Sequence, residues 1–305
     1  MQSVSWRIAF CILTFIFSMP ELPEVETIKG YLSKSLVGKK IAAVKILEKK
    51  QFIGDPKQII GAKVKKVFRR AKTLGLVLDN NLTLLFHLKL TGQIIFFANH
   101  HLKEELVLSS PLPFADNKLP GKTTRIIIEF ADGSRLFFND LRKFGWIKII
   151  PDQKLEQKEE EYGPEPLEEE FTLEYLQDIF SKTRRAIKIV LMDQKKIAGL
   201  GNIYANEALF EAGIDPRRPA NSLTSQEIGK LYQVIIKILK AAIKAGGTSA
   251  ADDAYVKPDA TPGGYQRYLR VYQQAGKPCL RCGRGTIRRI NLGGRGTFFC
   301  PRCQK

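Results

Sequence analysis

Cysteine is nearly absent from the body of this 305-residue chain: of five cysteines, only Cys11 lies outside the last 27 residues. That distribution excludes a disulfide network and reads as one local site near the C-terminus, in a reduced, cytosolic setting. Acidic side chains are in deficit too, 31 Asp plus Glu against 49 Lys plus Arg, for a net charge of +18. Such a balance favours a polyanion or an anionic membrane as partner, with nucleic acid first. The apolar run from Ile8 to Phe17 is too short to span a bilayer. The stretch "MQSVSWRIAFCILTFIFS" (1–18) has the form of a signal-peptide hydrophobic region with one Arg, or of an upstream start codon assigned in error ahead of Met19. There is no internal repeat. There is no dinucleotide fingerprint either, since Gly199-Leu200-Gly201 lacks a preceding strand and a third glycine in its proper place.

What is present divides by pattern. Pro23 suits a first helical turn, Val25, Ile28, Leu32 and Leu36 recur at helical spacing, and Gly38 is placed to end that helix. Strand-like runs follow at 40–47, 63–70, 74–79, 82–88, 123–130 and 134–140, several separated by turn signals such as "DNN" and "ADG". Residues 19–152 therefore read as a helix followed by an antiparallel β domain, a sandwich or a barrel. Residues 153–170 are polar and acidic with two prolines, a linker or exposed surface segment. From Leu173 to Ala245 the pattern is helical, most clearly in "LYQVIIKILKAAIKA" (231–245). The Gly-, Pro- and Asp-rich stretch 246–266 has no apolar periodicity and reads as a long functional loop.

The tail carries Cys279-x2-Cys282 and Cys300-x2-Cys303. Two such pairs can place four thiolates on one tetrahedral ion, zinc in preference to an iron–sulfur cluster. A site closed by four cysteines has no open position for substrate, so it is structural and holds together a module too small to fold unaided. Arg284, Arg288, Arg289 and Arg295 lie between the pairs, with Gly293, Gly294 and Gly296 permitting tight turns. A hairpin displaying arginines on a metal base suits phosphate or base contact. In "QKKIAGLGNIYANEALF" (194–210), Gly-x-Gly before a helix lets backbone approach a ligand, and N–H groups at the helix start can bind phosphate. Asn202 is placed to cap that helix or to contact phosphate, while Tyr204 and Leu209 read as packing residues.

"MPELPEVET", "QKKIAGLGNIYANEALF" and the four-cysteine module ending "GRGTFFCPRCQK" occur in that order. Together they resemble the bacterial formamidopyrimidine-DNA glycosylase family, bifunctional base-excision-repair enzymes for 8-oxoguanine and ring-opened purines, from Met19 to Lys305. The resemblance implies an α+β multidomain fold: an N-terminal helix with an antiparallel β-sandwich (19–152), an acidic linker (153–172), a helix-two-turn-helix domain (173–275) with a lesion-capping loop (246–266), and a zinc finger (276–305). It implies one structural Zn2+ on Cys279, Cys282, Cys300 and Cys303, and a monomer acting on lesion-containing or abasic double-stranded DNA in the cytoplasm, at the nucleoid, without a membrane. It implies Pro20 as Schiff-base nucleophile and Glu21 as proton donor, with Glu24 in support. Lys72 would serve β-elimination as proton donor or by electrostatics. Arg295 would serve δ-elimination or contact phosphate. His100, Asn202, Arg142, Phe144 and Leu90 would contact DNA, with Arg142 facing the orphaned cytosine and Phe144 and Leu90 as wedges. Taken singly, each of these residues also has an ordinary structural reading: a helix start, a surface lysine, a salt-bridge arginine, a core aromatic.

The chain departs from the family pattern in places. In "HLKLTG" (87–92), Lys89 stands for the usual glycine and Leu90 for the usual methionine, still apolar; "YQQ" replaces Tyr-Gly-Arg near the finger; Gly294 replaces a glutamine. Leu22 stands where endonuclease VIII-like relatives usually carry glycine, which points to purine lesions. The chemistry depends on an N-terminal proline, because inside a chain its nitrogen is a tertiary amide with no nucleophilicity. A free α-amine titrates near about 8, so a useful fraction is neutral at physiological pH. Residues 1–18 are accordingly expected to be a mis-assigned extension, with Met19 removed to expose Pro20. Two other functions compete: a non-catalytic binder of damaged DNA, and a zinc-ribbon RNA-binding protein.

Overall fold

The computed structural model describes residues 19–98, 106–108, 118–155, 160–249 and 255–305. The extension 1–18, His100 and residues 250–254 of the long loop lie outside the described residues.

Helix α1 (Leu22–Leu36) begins where expected, with Pro23 in its first turn, and Gly38 turns the chain away at φ +87°. Leu22, Val25, Ile28, Leu32 and Leu36 are buried at its helical spacing. Among the described residues eleven strands follow: β1 (Ile41–Ile46), β2 (Phe52–Ile53), β3 (Val64–Arg70), β4 (Thr73–Leu78), β5 (Leu82–His87), β6 (Gly92–Phe97), β7 (Leu106–Val107), β8 (Lys118–Leu119), β9 (Thr124–Phe130), β10 (Arg135–Asp140) and β11 (Trp146–Pro151). One sheet has the order β1-β9-β10-β6 and the other β2-β11-β5-β4-β3. Leu74, Leu76, Leu84, Phe86 and Ile147 from one sheet meet Ile94, Ile126, Ile128, Leu136 and Phe138 from the other, all nearly inaccessible, in one core that also takes in α1. Burying each such side chain stabilises by about 1.5–3 kcal/mol. The expected sandwich is present, with three strands in its sheets that the pattern did not announce, β2, β6 and β11, and a separate short pair, β7 and β8. One pair departs from the antiparallel rule: β2 runs parallel to β11, with Ile147 opposite Phe52.

The crossings between the sheets position function. After a first crossing from β1 to β2, the chain passes from one sheet to the other between β5 and β6, and back between β10 and β11. Asp140, at the end of β10, lies opposite Gly92 at the start of β6, and Trp146 lies opposite His87. Both crossings therefore sit at the same end of the sandwich.

The helical half holds α2 (Leu173–Ser181), α3 (Ile187–Leu191), α4 (Asn202–Ala212) and α5 (Ser225–Lys244) around a second core. Helix α5 opens with a reciprocal cap, Thr224 Oγ1 accepting from Glu227 N–H and Glu227 accepting from Thr224 N–H at 2.8 Å. Helix α1 packs on β3 and also on α5, so its N-terminus lies where the two halves meet. The last module is a hairpin, β12 (Arg288–Leu292) and β13 (Arg295–Phe299), turning through Gly293 and Gly294 at φ +59° and +73°. It docks on α4 through Phe298 N–H to Asn206 Oδ1 at 2.8 Å. Among the described residues, no helix is long and apolar enough to cross a membrane.

Candidate active site

Glu21 and Glu24 stand at the start of α1, both essentially inaccessible to solvent. The Glu24 carboxylate accepts from Glu21 N–H and from Thr248 N–H, each at 2.8 Å, and from the Tyr204 hydroxyl. The same hydroxyl lies 2.8 Å from Thr248 Oγ1. Tyr204 is thus a working polar group as well as the packing residue the sequence suggested. Glu21 Oε1 accepts from Ile203 N–H at 2.8 Å, in the first turn of α4. A carboxylate there sits at the favourable end of the helix dipole. Its other oxygen, Oε2, is buried without a hydrogen-bond partner among the described residues.

The glycines of "GLGN" explain how the segments come so close. A Cβ on Gly201 would stand 2.4 Å from Glu21 Cδ and 2.6 Å from Lys72 Nζ. Gly199 adopts φ +83°, its Cβ would meet Leu22 Cδ1 at 2.7 Å, and its carbonyl accepts from Leu22 N–H at 3.1 Å. The backbone approach expected for a ligand is here made by the protein's own N-terminal segment and lysine. Gly201 holds the cap position of α4, so Asn202 is its first helical residue and not its cap. Its side-chain oxygen accepts from Asn206 Nδ2 at 3.3 Å.

Lys72 is 5% exposed. It follows Ala71, whose φ of +51° is a left-handed turn that few L-residues adopt. Ala71 N–H donates to Glu165 Oε1 at 2.6 Å, and Glu165 pairs with Arg69 at 2.6 Å and Arg70 at 3.3 Å. The acidic segment after the sandwich is therefore not uniformly exposed, since Glu165 is fully buried and braces the turn that presents Lys72.

Burial dominates the electrostatics. It raises the Glu21 carboxyl above its ordinary value, against the pull of Lys72 and the N–H groups of α4. Glu24 is pushed to about 7 by burial and then by the charge of Glu21, with the Tyr204 hydroxyl opposing. Lys72 is lowered by burial; Glu21 and Glu24 oppose that shift, and Arg295 adds to it. A further residue, which sequence reasoning missed, belongs to this field. Lys188 on α3 is fully buried and donates to Gly296 O at 3.0 Å and Thr297 Oγ1 at 2.7 Å, tying α3 to the arginine hairpin. Burial brings it down to about 7, against Glu21 and with Arg295. Its signal was a lone lysine inside the apolar run "AIKIVL".

A cleft of about 510 Å³ opens on Lys72 and Arg295, lined also by Met19, His87, Lys89, Leu90, Phe144, Tyr162 and Gln194. Pro20, next to Met19, is buried. The cleft thus gathers Lys72, Leu90, Phe144 and Arg295 from four distant parts of the chain. Phe144 is 52% exposed, and the Arg142 guanidinium lies 5.0 Å over its ring. Lys89 sits at φ +53°, which gives the reason a glycine suits that position. His87 Nδ1 accepts from Lys89 N–H at 3.1 Å and its pKa falls to about 3, first through burial and then through Lys89 and Lys72, so it stays neutral. A larger cleft, about 1080 Å³, lies along the outer side of β3 and is lined by Lys66, Phe68 and Glu168–Glu170 among others. It contains neither Glu21 nor Lys72.

The four tail cysteines converge, with all Sγ atoms within 4.8 Å of one another. Cys279 and Cys303 are 3.7 Å apart and Cys282 and Cys300 3.9 Å. Tetrahedral thiolates about 2.3 Å from zinc stand about 3.8 Å apart, so the donor set and its spacing fit one structural Zn2+. The packing is tight: a Cβ on Gly285 would meet Cys300 Sγ at 2.7 Å.

Family models match the chain in three consecutive pieces. The formamidopyrimidine-DNA glycosylase N-terminal domain matches 19–147, the H2TH domain of the same glycosylase 162–253, and a zinc finger found in FPG and IleRS 276–305. The chain is 39% identical over 294 residues to the formamidopyrimidine-DNA glycosylase of Pelotomaculum thermopropionicum, covering 94% of this chain and 99% of that relative. It is similar to Lactococcus lactis Fpg solved in complex with an abasic site containing DNA, with a TM-score of 0.80, 32% identity and coverage of 93% of this chain and 99% of that one. A second complex of that protein, with a DNA containing N7-benzyl-Fapy-dG, gives a TM-score of 0.80 and 32% identity over 94% of this chain and 100% of that one.

Proposed function

For a chain that belongs to the formamidopyrimidine-DNA glycosylase family, as this one does, we propose that Pro20 is the nucleophile with which it excises oxidised purines and then cleaves the strand. The observation that carries this reading is the convergence of buried Glu21 and Lys72 on Gly201, beside a cleft reached by Met19, Leu90, Phe144 and Arg295. The free secondary amine of Pro20 attacks C1′, and the C1′–N bond breaks with its electrons leaving on the base. Glu21, whose carboxyl burial raises above its ordinary value, gives a proton to O4′ as the sugar ring opens to an iminium. The iminium acidifies C2′; loss of that proton expels the 3′ phosphate, and a second elimination expels the 5′ phosphate. Water then hydrolyses the iminium and returns Pro20. Lys72, whose ammonium is made readier to give up its proton by burial, serves the first elimination, and Arg295 the second or its phosphate. Asn202 contacts phosphate at the mouth of α4, and Glu24 holds the Glu21 backbone in place.

Before attack, the damaged base leaves the duplex, and Leu90, Arg142 and Phe144 fill and read the gap. The four-cysteine zinc site holds the hairpin that carries Arg295. The same reading places the enzyme as a monomer on nucleoid DNA in the cytoplasm, free of membrane; light scattering tests the first point. Domain limits at 19–152, 153–172, 173–275 and 276–305 remain part of this proposal.

The chemistry requires that no bond join Met19 to Pro20. With that amide in place Met19 also stands in the cleft, and the protein binds damaged DNA without cutting it. Borohydride reduction during reaction on an 8-oxoguanine duplex, by protein beginning at Pro20, is expected to trap a covalent adduct at Pro20. Folded protein with that terminus giving duplex binding but no adduct would establish the binder instead.

A further inference from the structure

We propose that Asp140 is a positioning residue that locks the β5–β6 and β10–β11 loops into one wedge, so that Leu90, Arg142 and Phe144 enter DNA as a unit. This rests on the reading that those three side chains act on the duplex. The argument begins with topology. The two loops are both crossings between the sheets, they occupy one end of the sandwich, and each carries part of the expected wedge. Nothing in their sequence separation, about fifty residues, keeps them together.

Asp140 supplies the tie. It is fully buried, and its two oxygens accept four hydrogen bonds. Oδ1 accepts from the Thr91 hydroxyl and from Arg142 N–H at 3.1 Å; Oδ2 accepts from Gly145 N–H at 2.7 Å and Gln51 Nε2 at 2.8 Å. Two oxygens with about four lone-pair sites are thereby filled by donors alone, which only a carboxylate of this size can match. Thr91 lies on the first loop; Arg142 and Gly145 bracket the second. The Thr91 hydroxyl also accepts from Arg142 N–H at 3.0 Å, a direct bond between the loops. Gln51 closes the arrangement by donating to Gly145 O at 2.8 Å as well.

Packing makes the tie stiff. A Cβ on Gly145 would stand 2.8 Å from Phe138 Cζ and 3.1 Å from both Asp140 Oδ2 and His87 O, the foot of the other loop. A Cβ on Gly92 would meet Leu88 O at 2.4 Å. The rings of Trp146 and His87, one from each loop base, lie 5.6 Å apart. The backbone is held while the working side chains remain outside: Phe144 is half exposed and Leu90 partly so. A preorganised wedge spares the cost of ordering two loops when DNA binds.

Two substitutions test the proposal. Asp140→Asn keeps the shape but turns an amide toward donors, and Thr91→Val removes only the inter-loop hydroxyl. Both are measured in single turnover on an 8-oxoguanine duplex, with 2-aminopurine beside the lesion to report unstacking. Schiff-base trapping on a single-stranded abasic oligonucleotide, which needs no wedge, controls for an intact active centre. We expect unstacking and duplex excision to fall by about 100-fold in Asp140→Asn and about tenfold in Thr91→Val, the scale set by an ångström of misplacement. Single-stranded trapping stays at the unsubstituted rate. If Asp140→Asn does not fold, Thr91→Val alone decides. Duplex and single-stranded rates falling together would reduce Asp140 to a fold residue and overturn the proposal. Phe144→Ala separates the layers: if it slows duplex excision and Thr91→Val does not, the coupling is wrong; if Phe144→Ala has no effect, the wedge reading falls and the proposal with it.

Discussion

Adding one methyl group at two glycines should have opposite effects, and the difference can be worked out from the structure. At Gly201 the new Cβ would lie 2.4 Å from Glu21 Cδ, 2.5 Å from Glu21 Oε1 and 2.6 Å from Lys72 Nζ. Ordinary contact begins about 1 Å further out, so the carboxylate or the ammonium must retreat. Glu21 cannot retreat freely, because it is buried and bonded to Ile203 N–H. Overpacking of this kind costs about 1–3 kcal/mol. A displacement of about 1 Å in a catalytic group lowers the rate by about 100-fold. At Gly229, inside α5, a Cβ meets nothing within 4 Å. Alanine there removes only the helix penalty of glycine and should stabilise by about 0.5–1 kcal/mol with activity unchanged. Urea denaturation and single-turnover borohydride trapping read both quantities. Gly201→Ala with wild-type trapping would refute the claim that this glycine exists to admit Glu21 and Lys72. Equal stability changes at the two sites would refute the steric argument as a whole.

Other predictions follow from the same groups. Glu24 is raised from 4.5 to about 7, so between those values the folded state keeps a proton that the unfolded state has lost. Its stabilising contribution is complete below pH 4.5, declines across that window by up to about 3 kcal/mol, and stays lost above pH 7. The stability difference between wild type and Glu24→Gln should therefore shift in favour of the variant as pH rises from 5 to 8; a pH-independent difference would count against the buried acid. Glu165→Ala leaves Arg69 and Arg70 without their shared partner and frees Ala71 N–H. Arg69 keeps Glu26 and Arg70 keeps Glu168, so a loss of about 1–3 kcal/mol, set by the unpaired Ala71 N–H, is expected in urea denaturation, with slower trapping, since the turn carrying Lys72 loses its brace. Chelation should release one Zn2+ per chain and abolish DNA binding, while the near-ultraviolet signal of Trp146 in the sandwich survives. Loss of that signal on chelation would mean that the finger supports the whole fold.

Much of this architecture was legible in the sequence because its signals are local. The α1 stripe, six of the strands, the long amphipathic α5 and the cysteine spacing each depend on neighbours within a few residues. The site was legible only as a set of separate positions. Pro20, Glu21, Lys72 and Arg295 carry no local mark that distinguishes them from a helix start, a surface lysine or a solvated arginine, and their proposed roles come from the family resemblance. What no local pattern reports is burial that arises from long-range meeting. Glu165 reads as one more acid in an acidic stretch, yet it is fully buried against β3. Lys188 reads as a polar break in an apolar helix, yet it joins α3 to the hairpin. Asp140 reads as the polar end of a strand, yet four donors from three segments meet on it.

The "GLGN" stretch shows how the same physics served a different partner from the one expected. Exposed N–H groups at a helix start and glycines that admit close approach do suit an anion. Here the start of α4 is taken by the Glu21 carboxyl group, from the other half of the protein, which accepts from Ile203 N–H, with Lys72 also close to Gly201. A phosphate contact by Asn202 must therefore be made beside an occupied helix start, through the side chain, and not by the first-turn N–H groups that Glu21 already uses. Asn202→Ala should thus weaken DNA binding and reduce its salt dependence while leaving the Glu21 environment intact. Its trapping rate at saturating DNA should match wild type; a large loss there would show that Asn202 supports the Glu21 site and not the phosphate.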